Sequence, residues 1–505
     1  MTRRTLELEL NRVEGDLTFQ VELEDGRVAD ARCIGTTYRG FEQIMLGRTP
    51  MDALVITPRI CGICSTAHLY AAVRALEDAW DIAPPANAVH IRNVSLMAEI
   101  IQSDLRQTFL FFTPDFCHAR YAASPRFDAI GAAFTPFKGW MHLETLRYSR
   151  RVIEIVALFA GQWPHSSHMM PGGVTAPATA RRIVDGQSLI AELTRWVERR
   201  ILGGDLGAWL EIAHADEFGN WVLERPEAAL TLLSQAARFA GLHTMGFGSP
   251  HLLSFGAFAL PEPMVGRSHW LAPGVRFGSD APVVPLDPSA IGEQVRYSWF
   301  KPHPGGKHPF EGETVPDYQP ASERYSWIKA PRYGGEVMQT GPLADLVVDG
   351  DPLVVDLYRR EGGSAWLRQL ARLRRMSQLL LFLRRTLDQL ATRISEPHRI
   401  PVPPDAKRDG QGAGMLTAAR GALGHWIGIR DGVFDRYQVI TPTAWNASPR
   451  DSDGVRGHWE ESLIGVPVQD PEDPLEIGHV IRSHDPCLAC AVHCLDSGRR
   501  IRFGV

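Results

Sequence analysis

Two cysteine pairs lie near opposite ends of the chain, each with the spacing Cys-x-x-Cys. The first pair is Cys61 and Cys64, and the second is Cys487 and Cys490. One such pair can bind a soft metal from a single turn of backbone, and two pairs offer the four thiolates of a closed soft-metal site. A metal bound by both pairs brings the two ends of the chain together. The sequence therefore predicts a metal centre inside one large domain.

A structural zinc site is the alternative for these four cysteines. Zinc ribbons usually keep their pairs about 15–20 residues apart, whereas nearly the whole chain separates Cys64 from Cys487. A site that joins both ends belongs at the centre of a domain, where burial suits a catalytic metal better than a surface clip. The spacing therefore favours a catalytic centre over structural zinc.

The composition bounds the class of protein. The 505 residues carry 53 basic and 58 acidic side chains, and this balance gives no indication of a nucleic acid or an anionic membrane as partner. Seven cysteines, four of them in the pairs, fit a reducing compartment better than a disulfide framework. No apolar run approaches the roughly 20 residues that span a bilayer, and the N-terminus lacks an apolar signal core. We expect a cytoplasmic protein, with any membrane association provided by a partner.

The pattern of apolar residues predicts a mainly helical chain. Residues 5–34 alternate as strands do, which indicates a small antiparallel sheet. Helical spacing predicts helices at 68–80, 90–112, 189–201 and, with the strongest leucine stripe, from Ser364 onward. Between them, 114–177 is predicted to be ordered loop and 245–345 irregular structure with short strands. The predicted fold class is α+β, mainly α, in one large domain over 1–505 with a long-helix core.

Glu14 and Arg420 both have ordinary explanations when each is taken alone. Glu14 stands beside Gly15 at a bend, where a solvated turn acid is the common case. Arg420 is flanked by small residues, so it is either a surface arginine or one whose backbone comes close to a buried ligand.

Six motifs in order resemble the large, catalytic subunit of nickel–iron hydrogenases. They lie at 12–15, 39–42, 59–68, 419–426, 442–446 and 485–493. The resemblance covers essentially the whole chain, and it implies that subunit's fold. It also implies that Glu14 and Arg420 are functional residues.

The resemblance implies a nickel ion bound by four thiolates and an iron ion that carries one carbon monoxide and two cyanides. By position in the motifs, Cys61 and Cys487 are terminal nickel ligands, and Cys64 and Cys490 bridge to the iron. The implied reaction is reversible heterolytic cleavage of H2, with the proton passing from the Cys487 thiolate to Glu14.

Other residues surround the implied centre. Arg420 matches an arginine held over the open metal position, and Asp485 matches the acid that pairs with it. Pro442 and Thr443 match residues around a cyanide, with the hydroxyl of Thr443 as a donor. His68 matches a histidine that contacts a bridging thiolate.

The resemblance also implies a second metal and a maturation step. Glu42, the backbone carbonyl of Val439 and His493 match the ligands of a Mg²⁺ or Fe²⁺ ion. In the family, a chaperone assists metal insertion and an endopeptidase then cuts after the histidine of the last motif. Residues 494–505 are therefore expected to be removed, which leaves His493 as the C-terminus.

An iron–sulfur small subunit is the expected partner. Outside the two pairs, only Cys33, Cys117 and Cys494 remain, and they do not form a cluster-binding run. Electrons therefore need clusters from another chain, and we expect an extensive interface with it.

Four positions depart from the usual family pattern. Ser103 stands where most members have aspartate, and Asp104 stands where histidine is usual, which leaves the hydrogen bonding around Arg420 open. Ile63 and Phe111 occupy gas-channel positions that are usually Val and Leu. This bulky pair resembles the hydrogen-sensing and cytoplasmic uptake branches.

Two hypotheses follow, an uptake enzyme and a hydrogen sensor with the same metal site and slow turnover. His68, where sensors tend to have Gln, and the residues beyond His493, which sensors tend to lack, favour the uptake enzyme.

Overall fold

The computed structural model describes residues 3–264, 266–402, 409–487 and 501–502. Three predicted features, Cys490, His493 and the cleavage point before Cys494, lie outside the described residues.

The chain contains helices of very different length around several small sheets. The strands are β1 (Arg3–Glu9), β2 (Leu17–Glu24), β3 (Arg27–Gly35), β4 (Met169–Met170), β5 (Gly173–Val174), β6 (Leu252–Met264), β7 (Arg267–Arg276), β8 (Val283–Val284), β9 (Ile291–Gln294), β10 (Ala330–Tyr333), β11 (Gly410–Ala418), β12 (Gly421–Arg430), β13 (Val433–Ile440) and β14 (Ile501–Arg502). The helices are α1 (Phe41–Met45), α2 (Ala53–Ile56), α3 (Ser65–Trp80), α4 (Ala86–Arg106), α5 (Phe127–Phe134), α6 (Trp140–Ala160), α7 (Ala180–Trp196), α8 (Leu206–Glu211), α9 (Ala215–Glu224), α10 (Ala229–Phe239), α11 (Pro342–Asp349), α12 (Pro352–Glu361), α13 (Ala365–Thr392), α14 (Pro442–Asn446), α15 (His458–Leu463) and α16 (Leu475–Ser483).

The N-terminal residues form the predicted antiparallel sheet. Strands β1, β2 and β3 pair in sequence, with Leu8 opposite Phe19 and Phe19 opposite Cys33. These three side chains are fully buried, because alternate residues of each strand point to one face of the sheet. Strand β14 adds to the other edge of β1 in parallel.

Helix α13 is the longest helix and lies in the core. It begins where the sequence predicts, since the hydroxyl of Ser364 accepts the Leu367 N–H and caps the first turn. Its leucine stripe, from Leu367 to Leu390, is buried. Helix α13 packs on α4, which ends in a π-helical turn at Gln107–Phe112. The predicted mainly helical fold with a long-helix core is confirmed.

A sheet formed by β11, β12 and β13 packs directly on α3. Gly412 and Gly414 make the close approach possible, because a side chain at either position would collide with the carbonyl oxygens of Ala75 and Ala71 on that helix. The turn that joins β11 to β12, which carries Arg420, is thereby brought near the first cysteine pair at the start of α3.

The prediction of ordered loop at 114–177 is wrong, because these residues contain helices α5 and α6. At 245–345 the predicted short strands are present as β8, β9 and β10, but the long hairpin of β6 and β7 in the same range was not predicted. Glycine, proline and histidine around α6 obscured its buried stripe of Met141, Val152 and Phe159. In the hairpin, prolines and the positive-φ Gly256 interrupt the strand alternation. Among the described residues, no helix is long and apolar enough to cross a bilayer.

Candidate metal centre

The first cysteine pair lies in the turn between a 3-10 turn (Thr57–Arg59) and helix α3. The N–H groups of Ile63 and Cys64 both point at the sulfur of Cys61, at 3.4 Å each. Amide donors and the positive end of a helix stabilise a thiolate over a thiol. The local backbone therefore favours the thiolate form of Cys61, which is the form that binds a metal.

The second pair meets the first in the interior. The sulfurs of Cys61, Cys64 and Cys487 lie within 4.8 Å of one another, and all three residues are buried. The sulfurs of Cys61 and Cys487 lie 3.5 Å apart. The Cys487 N–H donates to the hydroxyl of Thr443 at 3.3 Å. Three of the four predicted ligands are thus brought together, and Cys490 lies beyond the described residues.

Glu14 lies beside the strand that carries Cys487. Its N–H donates to the Pro486 carbonyl at 3.2 Å, and a parallel bridge pairs it with Cys487. Burial raises the pKa of the Glu14 carboxyl, and the negative charge of Cys61 raises it further, while Arg420 acts in the opposite direction. A carboxyl group with a raised pKa holds a proton more readily than an ordinary surface acid does, which suits a proton relay.

Arg420 is buried and faces the cysteines. Its Nε donates to the backbone carbonyl of Asp485 at 3.1 Å, and its Nη2 donates to the Asp485 carboxylate at 3.0 Å. Within the described part of the chain, its Nη1 has no hydrogen-bond partner. Although burial acts to lower it, the charges of Asp485, Cys487, Cys64 and Cys61 raise the pKa of Arg420 well above its usual value. The arginine is therefore a fixed cation at the sulfur cluster.

His68 belongs to a buried chain of polar rings. Its Nδ1 lies 3.0 Å from Nε2 of His425, whose Nδ1 lies 2.9 Å from the Tyr437 hydroxyl. Burial lowers the pKa of His68 to about 4, so the ring is neutral at neutral pH. Sequence reasoning missed His425 and Tyr437, and the only signal for His425 was its place inside the 419–426 motif.

Three further predicted residues, Pro442, Ile63 and Phe111, lie in three different segments. Pro442 opens the buried helix α14, which presents the Thr443 hydroxyl to Cys487. Ile63 lies between the two cysteines of the first pair and is buried. Phe111 lies in the π-helical turn after α4, with its ring 5.5 Å from the Arg106 guanidinium.

A second cluster surrounds Glu42. One carboxylate oxygen of Glu42 accepts the Val439 N–H at 2.9 Å and the Lys329 ammonium at 3.2 Å, and the other accepts the Thr314 hydroxyl. Lys329 also donates to Glu293 at 3.2 Å. A cavity of about 80 Å³ adjoins these residues. Sequence reasoning missed Lys329 and Glu293, because nothing in their local sequence marks them.

The residues present fit the two implied metals to different degrees. Buried thiols beside a cation form the soft, charge-compensated donor set that nickel prefers. At the second cluster, the Glu42 carboxylate and the cavity fit a hard cation. However, Val439 donates its N–H to Glu42, whereas the predicted metal ligand is the Val439 carbonyl, and the Lys329 ammonium already supplies positive charge beside Glu42. The second cluster therefore fits its implied metal less well than the cysteines fit nickel.

Comparison with known proteins agrees with this geometry. The profile of the family described as "Nickel-dependent hydrogenase" matches residues 39–124 and 228–493. The large subunit of the periplasmic NiFeSe hydrogenase of Desulfomicrobium baculatum is 31% identical, over 96% of this chain and 94% of that protein. The hydrogenase-1 large chain of Escherichia coli (strain K12) is 29% identical, over 99% of this chain and 96% of its own.

Solved structures resemble the whole fold. The H2-activated NiFeSe hydrogenase of Desulfomicrobium baculatum superposes with a TM-score of 0.82 at 31% identity, covering 97% of this chain and 100% of that chain. The reduced Ni-Fe-Se hydrogenase of Desulfovibrio vulgaris Hildenborough gives 0.80 at 31% identity, with the same coverage of both chains. The chain therefore belongs to the nickel-dependent hydrogenase family.

Proposed function

We propose that this chain is the catalytic subunit of a nickel–iron hydrogenase that oxidises H2 to two protons and two electrons in the cytoplasm. The proposal depends on one observation above all. Buried thiols from both ends of the chain meet beside the cation of Arg420 and the carboxyl of Glu14. As a member of its family the chain is an oxidoreductase, and the direction of the reaction is the proposed part.

Cys61, Cys64, Cys487 and Cys490 would hold the metals. When bound, the nickel–iron centre supplies the chemistry that binds H2 and takes up its electrons. The iron would carry one carbon monoxide and two cyanides, and Pro442 and the Thr443 hydroxyl would lie beside a cyanide.

The proton leaves through Cys487 and Glu14. In this mechanism the Cys487 thiolate accepts a proton from H2 and passes it to the Glu14 carboxylate. The backbone bridge between these two residues supports the route, because it fixes Glu14 alongside Cys487. The raised pKa of Glu14 supports it too, since it strengthens the carboxylate as a proton acceptor.

Arg420 contributes a fixed positive charge. Asp485 holds two of its nitrogens, which leaves Nη1 for the metal centre. A cation held in place before the reaction stabilises charge that develops there without a cost of reorganisation. The assigned roles are therefore polarisation of H2 for Arg420 and orientation for Asp485.

Electrons pass to an iron–sulfur small subunit. Four large apolar side chains within residues 44–55 are 42–49% exposed: Ile44, Leu46, Met51 and Val55. Several exposed large apolar side chains within one short segment favour a protein interface there. This segment directly precedes Cys61 along the chain, so a subunit bound there would lie close to the metal centre.

The second site and the maturation step complete the proposal. Glu42, Val439 and His493 would bind Mg²⁺ or Fe²⁺, with Lys329 retained as a neighbour. A chaperone would assist nickel insertion, and an endopeptidase would then remove 494–505 so that His493 can reach the cavity beside Glu42.

A hydrogen sensor is the second candidate function. The bulky Ile63 and Phe111 favour the branches that include sensors, whereas His68 and the tail beyond His493 favour the uptake enzyme. The two candidates differ in turnover, because a sensor needs only slow chemistry.

The deciding experiment uses the purified heterodimer with its small subunit, loaded with nickel. We expect sustained, fast reduction of a viologen dye under H2, and loss of both nickel and activity in Cys487→Ser as the matched control. Slow turnover by fully loaded protein would favour the sensor, and no turnover at all would refute the hydrogenase proposal.

A further inference from the structure

Helix α13 buries four arginines, although buried guanidinium groups are costly unless they are fully paired. They are Arg368, Arg372, Arg374 and Arg375, each at most 3% exposed. Arg374 donates to Asp351 and to the backbone carbonyls of Trp209, Leu210 and Ile212, away from the cysteines. Arg375 points to the turn that carries Arg420.

Arg375 makes hydrogen bonds in three directions. Its Nε and Nη2 donate to the two carboxylate oxygens of Asp104, at 3.2 and 2.6 Å, and its Nη1 donates to Asp345 at 2.8 Å. Nη2 also donates to the backbone carbonyl of Ala419 at 2.6 Å. All three charged side chains are fully buried. Such a planar fork fixes its partners in position as well as in distance.

Ala419 directly precedes Arg420 in the turn from β11 to β12. The next residue, Gly421, has φ 120°, and a side chain there would collide with Thr340. The backbone around Arg420 is therefore tightly confined. Arg375 holds the chain just before Arg420, while Asp485 holds the guanidinium at the other end.

The Asp345 carboxylate is itself anchored. Asp345 accepts the hydroxyls of Ser254 at 3.0 Å and of Thr417 at 3.1 Å, and Thr417 lies on β11 two residues before Ala419. Asp104 stands where histidine is usual in the family, and its bidentate partner is Arg375. Asp104 therefore acts on Arg420 indirectly. It binds Arg375, and Arg375 binds the backbone carbonyl of Ala419, the residue before Arg420.

We infer that Arg375, clamped between Asp104 and Asp345, is a positioning residue that sets the location of the Arg420 guanidinium over the cysteine cluster. The inference rests on the proposed function of Arg420. Lysine keeps the charge but has one nitrogen, so it cannot bind both carboxylates and the Ala419 carbonyl in the same planar arrangement.

The test compares Arg375→Lys with Arg374→Lys in the nickel-loaded heterodimer. Arg374 is the matched control, because it is equally buried, bonds a carboxylate and backbone carbonyls, and lies one residue away on the same helix. Both variants should lower the melting temperature by similar amounts. Only Arg375→Lys should lower kcat, by at least about tenfold at similar KM and nickel content, because a misplaced catalytic group costs about that much or more.

A crystal structure of each variant heterodimer gives the readout that does not depend on activity. The Arg420 guanidinium should be displaced in Arg375→Lys and unmoved in Arg374→Lys. Equal kcat per nickel in the two variants, or an unmoved Arg420, would overturn the inference. If the wild type itself does not oxidise H2, the proposed function fails, while the displacement of Arg420 still tests the positioning role.

If Arg375→Lys does not assemble, Asp345→Asn replaces it. That change removes one carboxylate of the clamp and keeps the bidentate pair with Asp104. We expect a partial loss, about threefold in kcat, with a shift of Arg420 in the crystal structure. Wild-type kcat and an unmoved Arg420 in Asp345→Asn would overturn the inference.

Discussion

The sulfurs of Cys61 and Cys487 lie 3.5 Å apart although 426 positions separate the two residues in sequence. This distance is longer than the roughly 2 Å of a disulfide bond, so the two sulfurs are in contact and not bonded. The two ends of the chain are therefore held together at the one place where chemistry is expected.

Metal-free protein should form a disulfide between Cys61 and Cys487 under a mild oxidant. The expected product is a cross-linked pair of peptides from the two ends of the chain, measured by mass spectrometry after proteolysis. Nickel-loaded protein should resist the cross-link, because its sulfurs are occupied. Cys33, buried in the N-terminal sheet, is the internal control and should stay reduced.

Replacing Glu14 with Gln should leave the metal centre assembled and suppress turnover. The amide keeps the shape of the side chain but loses the titratable proton, so dye reduction and exchange between H2 and deuterated water should fall by about 100-fold or more. Glu7→Gln, an exposed change on β1, is the control and should be neutral. Unchanged exchange in Glu14→Gln would remove Glu14 from the proton route.

The Arg420→Lys variant should be much less active than the wild type. An ammonium cannot hold the carbonyl and carboxylate of Asp485 while also facing the metals, so we expect at least about a tenfold loss of kcat with nickel content unchanged. Single-turnover and steady-state rates of the variant heterodimer would measure it. Activity near that of the wild type would show that charge alone is sufficient.

Glu99 should make stability depend on pH. It is buried and accepts the N–H groups of Thr66 and Ala67 at the start of α3 and the Trp163 indole N–H. Burial raises the pKa of Glu99 to about 7, although these hydrogen bonds lower it. The folded state thus binds this proton more tightly than the unfolded chain, whose value is 4.5. The contribution is complete below pH 4.5 and is lost as the pH rises to about 7.

The measurement is the free energy of unfolding from denaturant titrations at pH 5 and pH 8, in the wild type and in Glu99→Gln. The wild type should lose up to about 3 kcal/mol more than the variant over this interval. Equal pH dependence in the two proteins would mean that Glu99 keeps an ordinary pKa.

The active protein should end at His493. The tail 494–505 contains three arginines, Arg499, Arg500 and Arg502, and its described part, Ile501–Arg502, pairs with β1 as a strand of only two residues. Chain termini are common sites of proteolysis. Intact mass of active, nickel-loaded protein should match a chain that lacks the tail. A full-length chain with complete activity would contradict the cleavage.

Features with a local cause could be predicted from the sequence. The spacing of Cys61 and Cys64 defines a ligand pair, and Ser364 before a leucine stripe defines the start of α13, because both depend on neighbouring residues. Helix α6 was missed, since its stripe lies among residues typical of loops.

Contacts between distant residues could not be predicted in this way. Lys329 meets Glu42, and Arg375 meets Asp104, only after the chain has folded, and no local pattern marks either pair. The resemblance to a family indicated which residues act at the centre. It could not indicate how this chain supports Arg420, because the contacts of Arg375 with Asp104 and with the Ala419 carbonyl join residues that are far apart in sequence.

The position of Cys487 near the end of the chain also sets an order in time. Cys61 leaves the ribosome 426 residues before Cys487 does, and a domain can form only from residues that have already left the ribosome. The cluster of Cys61, Cys64 and Cys487 therefore cannot form until synthesis has passed Cys487. A chain that stops before Cys487 would retain the first pair of thiols but could not complete the cluster.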